Sequence, residues 1–146
     1  MVKEKHTEKY VLATARFLLI LLWVYAALSK LLSFSVFRTQ MNMQPFYPFM
    51  RALLVYALPP VELAVAVFLV FESTVKKGLV GSLFLLALFT GYVGLAAAGF
   101  FVHRPCSCGG VLTHIGWKAH FWFNLAFFAI NVSALWITRR KEVVTK

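Results

Sequence analysis

The sequence predicts an all-α integral membrane protein built as an antiparallel four-helix bundle, and three observations lead to that fold class. Of its 146 residues, 61% are hydrophobic and only 14% are charged, whereas soluble domains carry about 25% charged residues. A soluble domain of this length exposes too large a share of its surface to hide so many apolar side chains. The apolar residues form four long runs, and most basic residues flank these runs. We therefore expect one membrane domain covering residues 1–146.

Each of the four apolar runs is long enough to cross a bilayer, which requires about 20 residues per helix. The runs are residues 10–28, 52–71, 78–102 and 119–137. The first is longer than the apolar core of a signal peptide and three further runs follow it, so we expect it to remain in the protein. The second contains Pro59, Pro60 and Glu62, and the two prolines are expected to start or kink its helix.

The distribution of lysine and arginine predicts the orientation, because cytoplasmic segments next to membrane spans are enriched in these residues. One side would carry ten of the fifteen, namely Lys3, Lys5, Lys9, Arg16, Lys76, Lys77, Arg139, Arg140, Lys141 and Lys146. The other side would carry Lys30, Arg38, Arg51, Arg104 and Lys118. We therefore expect both termini in the cytoplasm and the first and third loops on the outer side of the membrane. Most of the basic residues behind the net charge of +10 flank apolar runs, where they set the orientation and lie among lipid head groups. A nucleic-acid partner is therefore not expected.

The first loop, residues 29–51, is long and remains apolar, with three methionines and several aromatic residues. Pro45 and Pro48 would interrupt a continuous helix in this loop. One interpretation is a segment that lies in the membrane interface without a ligand. The other is a lid or docking surface over a site on the outer face, since methionine-rich surfaces adapt to varied partners.

Both cysteines of the chain, Cys106 and Cys108, lie in the third loop, residues 103–118. The envelope side of a bacterial membrane is oxidising, so the two thiols can form a disulfide there. A bridge across one intervening residue closes a very small ring to which the backbone must bend, and strained disulfides are the labile ones. Such a bridge also constrains the unfolded chain little, so it would stabilise the fold poorly. His103 and Arg104 place positive charge nearby, which favours the reactive thiolate. Cys106 and Cys108 are therefore our candidate catalytic residues.

Two other interpretations of the cysteine loop remain open. The thiols can be passive, either as a local disulfide or as part of a surface that docks a partner. Alternatively, His103, Cys106, Cys108 and His114 offer soft ligands for Cu(I) or Zn(II), although two residues more often separate the cysteines of a zinc site.

Glu62 is the only acidic residue inside an apolar run, and a carboxylate within a membrane is costly enough to suggest a function. Lys30 ends the first run at a matching depth in the outer half of the bundle, so we predict that it pairs with Glu62. The two residues form either a purely structural ion pair or a group that relays a proton or binds a polar head group.

The fourth run carries His120, Asn124 and Asn131, whose offsets of four and seven residues place them on one helix face. Polar groups in lipid must face protein, water or a ligand, so one interpretation is hydrogen bonding between helices. The other is a binding site for a membrane quinone, in which His120 and Asn124 would donate hydrogen bonds beside the Trp117 ring.

Several short motifs resemble those of a known group of membrane proteins. They are Ser29-Lys30-Leu31 ending the first run, Pro59-Pro60-Val61-Glu62-Leu63 in the second, Cys106-Ser107-Cys108-Gly109-Gly110 in the third loop, Gly116-Trp117 and Asn124. In this order and spacing they resemble DoxX-like proteins, in particular the branch containing MauE, over residues 10–137. The sequence has Gly109 where loops of that branch often have phenylalanine, so methylamine metabolism is not carried over with the resemblance.

The resemblance implies a four-helix inner-membrane protein associated with redox work, in which Cys106 and Cys108 are the redox pair and Lys30 and Glu62 are framework positions. MauE is implicated in maturing a disulfide-rich periplasmic enzyme subunit alongside a thioredoxin-like partner. The sequence therefore predicts a thiol–disulfide redox protein that exchanges electrons with a periplasmic thioredoxin-like protein and, as a second redox partner, a membrane quinone. A non-catalytic subunit or assembly factor of an envelope complex and a copper or zinc handling protein are the alternatives.

Overall fold

A computed structural model of the protein describes residues 2–100 and 116–144, and within those ranges the regular secondary structure is helical. The helices are α1 (Val2–Leu32), α2 (Phe34–Asn42), α3 (Pro48–Val70), α4 (Val75–Ala97) and α5 (Trp117–Val144). Four of them contain segments long and apolar enough to cross a membrane, namely Thr7–Leu32, Pro48–Val70, Val75–Ala97 and Lys118–Arg140. The predicted all-α fold with four membrane spans is confirmed.

The four long helices form a closed bundle in which each helix packs against two neighbours. Helix α1 packs against α3 and α5, and α4 packs against the same two helices. Arg140 near the end of α5 forms an ion pair with Glu8 near the start of α1, with Nη1 and Oε1 3.3 Å apart. Because the first and last helices meet here, we call this the terminal end of the bundle and the opposite end the loop end.

The main apolar core lies towards the terminal end and takes residues from all four long helices. Its buried members are Ala15, Leu19, Trp23, Val65, Ala66, Leu69, Val75, Leu79, Leu85, Leu86, Ala134 and Leu135. Large apolar side chains on the outward faces, such as Phe17, Phe84 and Trp136, stay exposed. Such a surface suits lipid, which is as apolar as these side chains.

Arg16, which interrupts the first apolar run, caps the C-terminal end of α3. Its Nε donates to the Leu69 carbonyl at 3.1 Å, and its Nη2 donates to the Leu69 and Val70 carbonyls at 3.0 Å each. The same guanidinium pairs with the Glu72 carboxylate. The last carbonyls of a helix have no partner within that helix, so Arg16 satisfies acceptors that the fold leaves open.

Gly78 allows the first turn of α4 to lie against the last turn of α3. A Cβ atom at this position would lie 2.8 Å from the Leu69 nitrogen and 2.9 Å from the Phe68 carbonyl carbon. Backbone atoms cannot move aside as a flexible side chain can, so only glycine fits between the two helices at this distance.

The first loop contains a helix that the sequence did not predict. Residues 34–42 form α2, and its Phe37 and Met41 side chains are buried against Val55 of α3. This helix ends before Pro45, and α3 begins at Pro48. Proline is well suited to the first turn of a helix, because the backbone N–H that it lacks would have no partner within the helix there. The prolines therefore limit the two helices, as expected, without preventing α2.

The two prolines of α3 do not start the helix, contrary to one of the two expectations. Helix α3 begins at Pro48, four residues before the predicted span, and Pro59 and Pro60 lie inside it. Each proline removes one backbone donor, and membrane helices tolerate this where neighbouring groups surround them. With the helix extended in this way, Glu62 lies nearer to its Val70 end than to its Pro48 end.

Candidate functional site

A buried ion pair joins α1 to α3 within the bundle. Lys30 Nζ lies 2.8 Å from Glu62 Oε1 and 3.1 Å from Oε2. The Lys30 side chain is 3% exposed and that of Glu62 is 0% exposed. The lysine also donates to the carbonyl of Ala26, one turn earlier in α1, at 3.0 Å. The ammonium therefore directs its three N–H groups at three acceptors, which is its full donor capacity.

Helix α2 covers this pair on the side of the first loop. Ser33 separates α2 from α1, yet hydrogen bonds continue across it from Ser33 N to the Ser29 carbonyl and from Phe37 N to the Ser33 carbonyl. This break allows Phe37 to approach the lysine, whose Nζ lies 5.9 Å from the ring centroid. A cation at this distance from an aromatic face is attracted to it, so the Phe37 ring stabilises the ammonium on the side of the first loop.

Helix α5 brings two further polar residues to the pair. His120 and Asn124 lie one helical turn apart and are 8% and 7% exposed. Both line a cavity of about 50 Å³ that Lys30 and Glu62 line as well. Four residues singled out in the sequence thus meet at one place in the fold. The Trp117 side chain lies outside the described part of the chain.

The lining of the cavity combines polar and apolar side chains from all four long helices. Its full lining is Leu22, Trp23, Tyr25, Ala26, Lys30, Glu62, Leu86, Phe89, Val93, His120, Phe123 and Asn124. Within residues 2–100 and 116–144, the structure shows no hydrogen bond to the side chain of His120 or Asn124. Neither residue is among the described side chains whose enclosed polar atoms lack a partner, so their polar atoms reach the cavity and can form hydrogen bonds to what occupies it.

A second polar cluster lies next to the apolar core and shares Trp23 with the lining of the cavity. The Trp23 indole donates to the Ser82 hydroxyl at 2.8 Å, and the Asn131 amide lies 2.8 Å from the same hydroxyl. When its oxygen accepts from Ser82, the Asn131 amide nitrogen can donate to the Leu79 carbonyl at 3.2 Å. Asn131 therefore does not line the cavity with Asn124. Sequence reasoning missed Trp23 and Ser82, although a tryptophan N–H inside a span requires an acceptor.

The connection between α2 and α3 is fixed against α4. Tyr92 donates a hydrogen bond to the Gln44 side chain, and its ring lies 5.8 Å from that of Phe46. Arg51 Nε donates to the Phe46 carbonyl at 2.8 Å. Through these contacts, the connection between α2 and α3 packs against α4.

The two cysteines lie outside the described residues. So do His103 and His114, which complete the proposed metal ligands, and Arg104, which was expected to favour the thiolate. Among residues that the structure does describe, no group of three histidine, cysteine or acidic side chains could hold a metal ion. The redox and metal interpretations of the third loop therefore both stay predictions.

The fit of a quinone can be judged from the cavity. The His120 and Asn124 side chains suit carbonyl oxygens, but a volume of about 50 Å³ is far below the roughly 300 Å³ of the smallest typical cofactor pockets. A quinone ring does not fit into this cavity as it stands. Quinone binding stays a prediction.

Comparison with known proteins identifies a family. The family model described as methylamine utilisation protein MauE matches residues 8–137, which include the second and third membrane spans and nearly all of the first and fourth. No curated protein and no solved structure matches the chain. The matched region covers most of the chain and coincides with the four-helix bundle and its buried polar residues, so the chain belongs to the MauE family.

Proposed function

We propose that this MauE-family membrane protein exchanges disulfides with a thioredoxin-like protein of the cell envelope through Cys106 and Cys108. The observation that carries the proposal is the position of both cysteines in the segment that joins α4 to α5. That segment leads directly into the turn of α5 that carries His120. Its thiols are therefore expected at the loop end, above the buried Lys30–Glu62 pair.

The proposed exchange transfers two electrons and needs no other reactant. In one direction, the thiolate of one cysteine attacks a partner disulfide, and a mixed disulfide forms while one partner sulfur leaves and takes up a proton. The second cysteine loses its proton and attacks the mixed disulfide. The products are the Cys106–Cys108 disulfide and the reduced partner dithiol. The opposite direction follows the same steps in reverse, and a second redox partner completes the cycle.

The orientation that this function requires is supported by the charge distribution. Ten of fifteen lysine and arginine residues belong to the side of the two termini, and the Arg140–Glu8 pair shows that α1 and α5 meet at that end. By the positive-inside rule, that end faces the cytoplasm of a bacterial inner membrane. The cysteine segment then faces the periplasm, where disulfides persist.

Trapping the mixed disulfide tests the proposal directly. Cys106→Ser and Cys108→Ser would be expressed separately, cells would be quenched with acid, and adducts would be resolved on non-reducing gels and identified by mass spectrometry. One single variant should carry an adduct, sensitive to dithiothreitol, to an envelope thioredoxin-like protein, because the resolving thiol is missing. The double variant is the matched control and should carry none. No adduct in either single variant, together with normal growth of the double variant, would favour a non-catalytic assembly factor.

A further inference from the structure

The cavity beneath the loop end has a use of its own, which does not rest on the cysteine chemistry. We infer that it is a hydrated proton-exchange site, in which a few water molecules join His120 and Asn124 to the Glu62 carboxylate. The ligand is thus water together with the proton that it delivers. The Lys30–Glu62 pair would then be a site that takes up a proton inside the membrane and not only a structural contact.

The hydrogen-bond inventory supports water as the occupant. The three N–H groups of the Lys30 ammonium are matched by the two Glu62 oxygens and the Ala26 carbonyl, so none of them is needed by a molecule in the cavity. An ionised carboxylate has about four acceptor sites, and among the described residues only Lys30 donates to Glu62. The imidazole of His120 and the amide of Asn124 can both donate and accept. Water, which both donates and accepts, matches the unused acceptors of Glu62 as well as the mixed groups of His120 and Asn124.

The size of the cavity supports the same occupant. A water molecule needs about 10–15 Å³ of such space and two to four polar partners, so a volume of about 50 Å³ holds about three to five molecules. Apolar cavities stay dry even when they are larger, but the lining of this one includes an ion pair, a histidine and an asparagine. A chain of a few molecules can span from the His120 wall to the Glu62 wall.

Within the described part of the chain, few charged or titratable groups lie around Glu62. Lys30 and Tyr25 line the cavity from α1, and His120 lines it from α5. Helix α4 contributes only apolar side chains there, and α2 places the Phe37 ring next to the ammonium. A proton reaching Glu62 through water converts the carboxylate to the neutral acid and leaves a neutral water behind. Lys30 then loses its counter-charge, so protonation of Glu62 weakens the ion pair that joins α1 to α3.

Infrared spectroscopy of the full-length protein in lipid nanodiscs tests this inference. The Cys106→Ser/Cys108→Ser background would be used, so that a failure of thiol exchange and a failure of proton exchange are observed separately. Acidification should produce a carboxylic acid C=O band that is lost in Glu62→Gln. On transfer to D₂O this band should shift at once, because water reaches the acid proton.

The cavity variants give the decisive comparison. His120→Leu and Asn124→Leu should slow the D₂O shift about tenfold, equivalent to about 1.4 kcal/mol in the exchange barrier. Asn131→Leu is the matched control, since it removes the same side chain from the same helix outside the cavity, and it should leave the exchange rate unchanged. The inference is overturned if no Glu62 band forms at any pH at which the helices remain folded. Equal exchange rates in the three leucine variants would overturn it as well.

Discussion

Neutralising Glu62 should destabilise the bundle far more than neutralising an exposed glutamate in another ion pair. Glu62→Gln keeps the shape of the side chain but leaves the Lys30 charge without a counter-ion at 3% exposure. Removing one member of a buried ion pair costs about 3–5 kcal/mol, because the remaining charge is stranded. Glu72→Gln is the matched control. Glu72 pairs with Arg16 but is 84% exposed, and exposed pairs contribute about 1 kcal/mol or less.

The free energy of unfolding would be measured by SDS titration in mixed micelles, followed by circular dichroism. Lys30→Met combined with Glu62→Gln should recover part of the loss, since the double variant buries no charge. The coupling energy from the four proteins then reports the interaction of the two side chains. The reasoning fails if Glu62→Gln and Glu72→Gln cost the same, or if the two single losses simply add in the double variant.

Three further predictions follow from topology, hydrogen bonding and packing. A membrane-impermeant thiol reagent added to intact spheroplasts should label reduced Cys106 and Cys108; labelling that appears only after lysis would reverse the proposed orientation. Ser82→Ala removes the acceptor of the Trp23 indole, so it should lower the free energy of unfolding by about 1–3 kcal/mol. A shift in tryptophan fluorescence should accompany that loss, and an unchanged spectrum would argue against the contact. Gly78→Val brings a Cβ within 2.8 Å of the α3 backbone and should cost at least about 1–3 kcal/mol in the same titration; wild-type stability would contradict the close approach.

Hydropathy and composition were sufficient to predict the four spans, because a bilayer imposes one length and one polarity on every helix that crosses it. They were not sufficient for the helix ends. Helix α2 forms in an apolar loop because Phe37 and Met41 bury themselves against Val55, a contact between segments that no local pattern announces. Pro59 and Pro60 suggested a helix start as readily as the helix interior where they lie.

The site residues show the same division between what a pattern can and cannot predict. The four-residue spacing of His120 and Asn124 predicts a shared face, and both line the cavity. Asn131 is on that face as well, but it lies two turns further along α5 and meets Ser82 instead. Periodicity predicts the direction in which a side chain points, whereas the depth along the bundle decides its neighbours. Glu62 and Lys30 stood out because buried charges are costly in any context.

The cover that Phe37 provides over Lys30 gives the two ends of the bundle different responses to dissolved salt. Small ions weaken attractions between exposed charges within about 8 Å at physiological ionic strength, and they act much less on buried ones. Sodium chloride can reach the Arg16–Glu72 pair through the exposed glutamate. It acts far less on the Lys30 ammonium, which lies against the Phe37 ring and pairs with a fully buried carboxylate. Rising ionic strength therefore loosens the link between α1 and the end of α3, while the link between Lys30 and Glu62 keeps its strength.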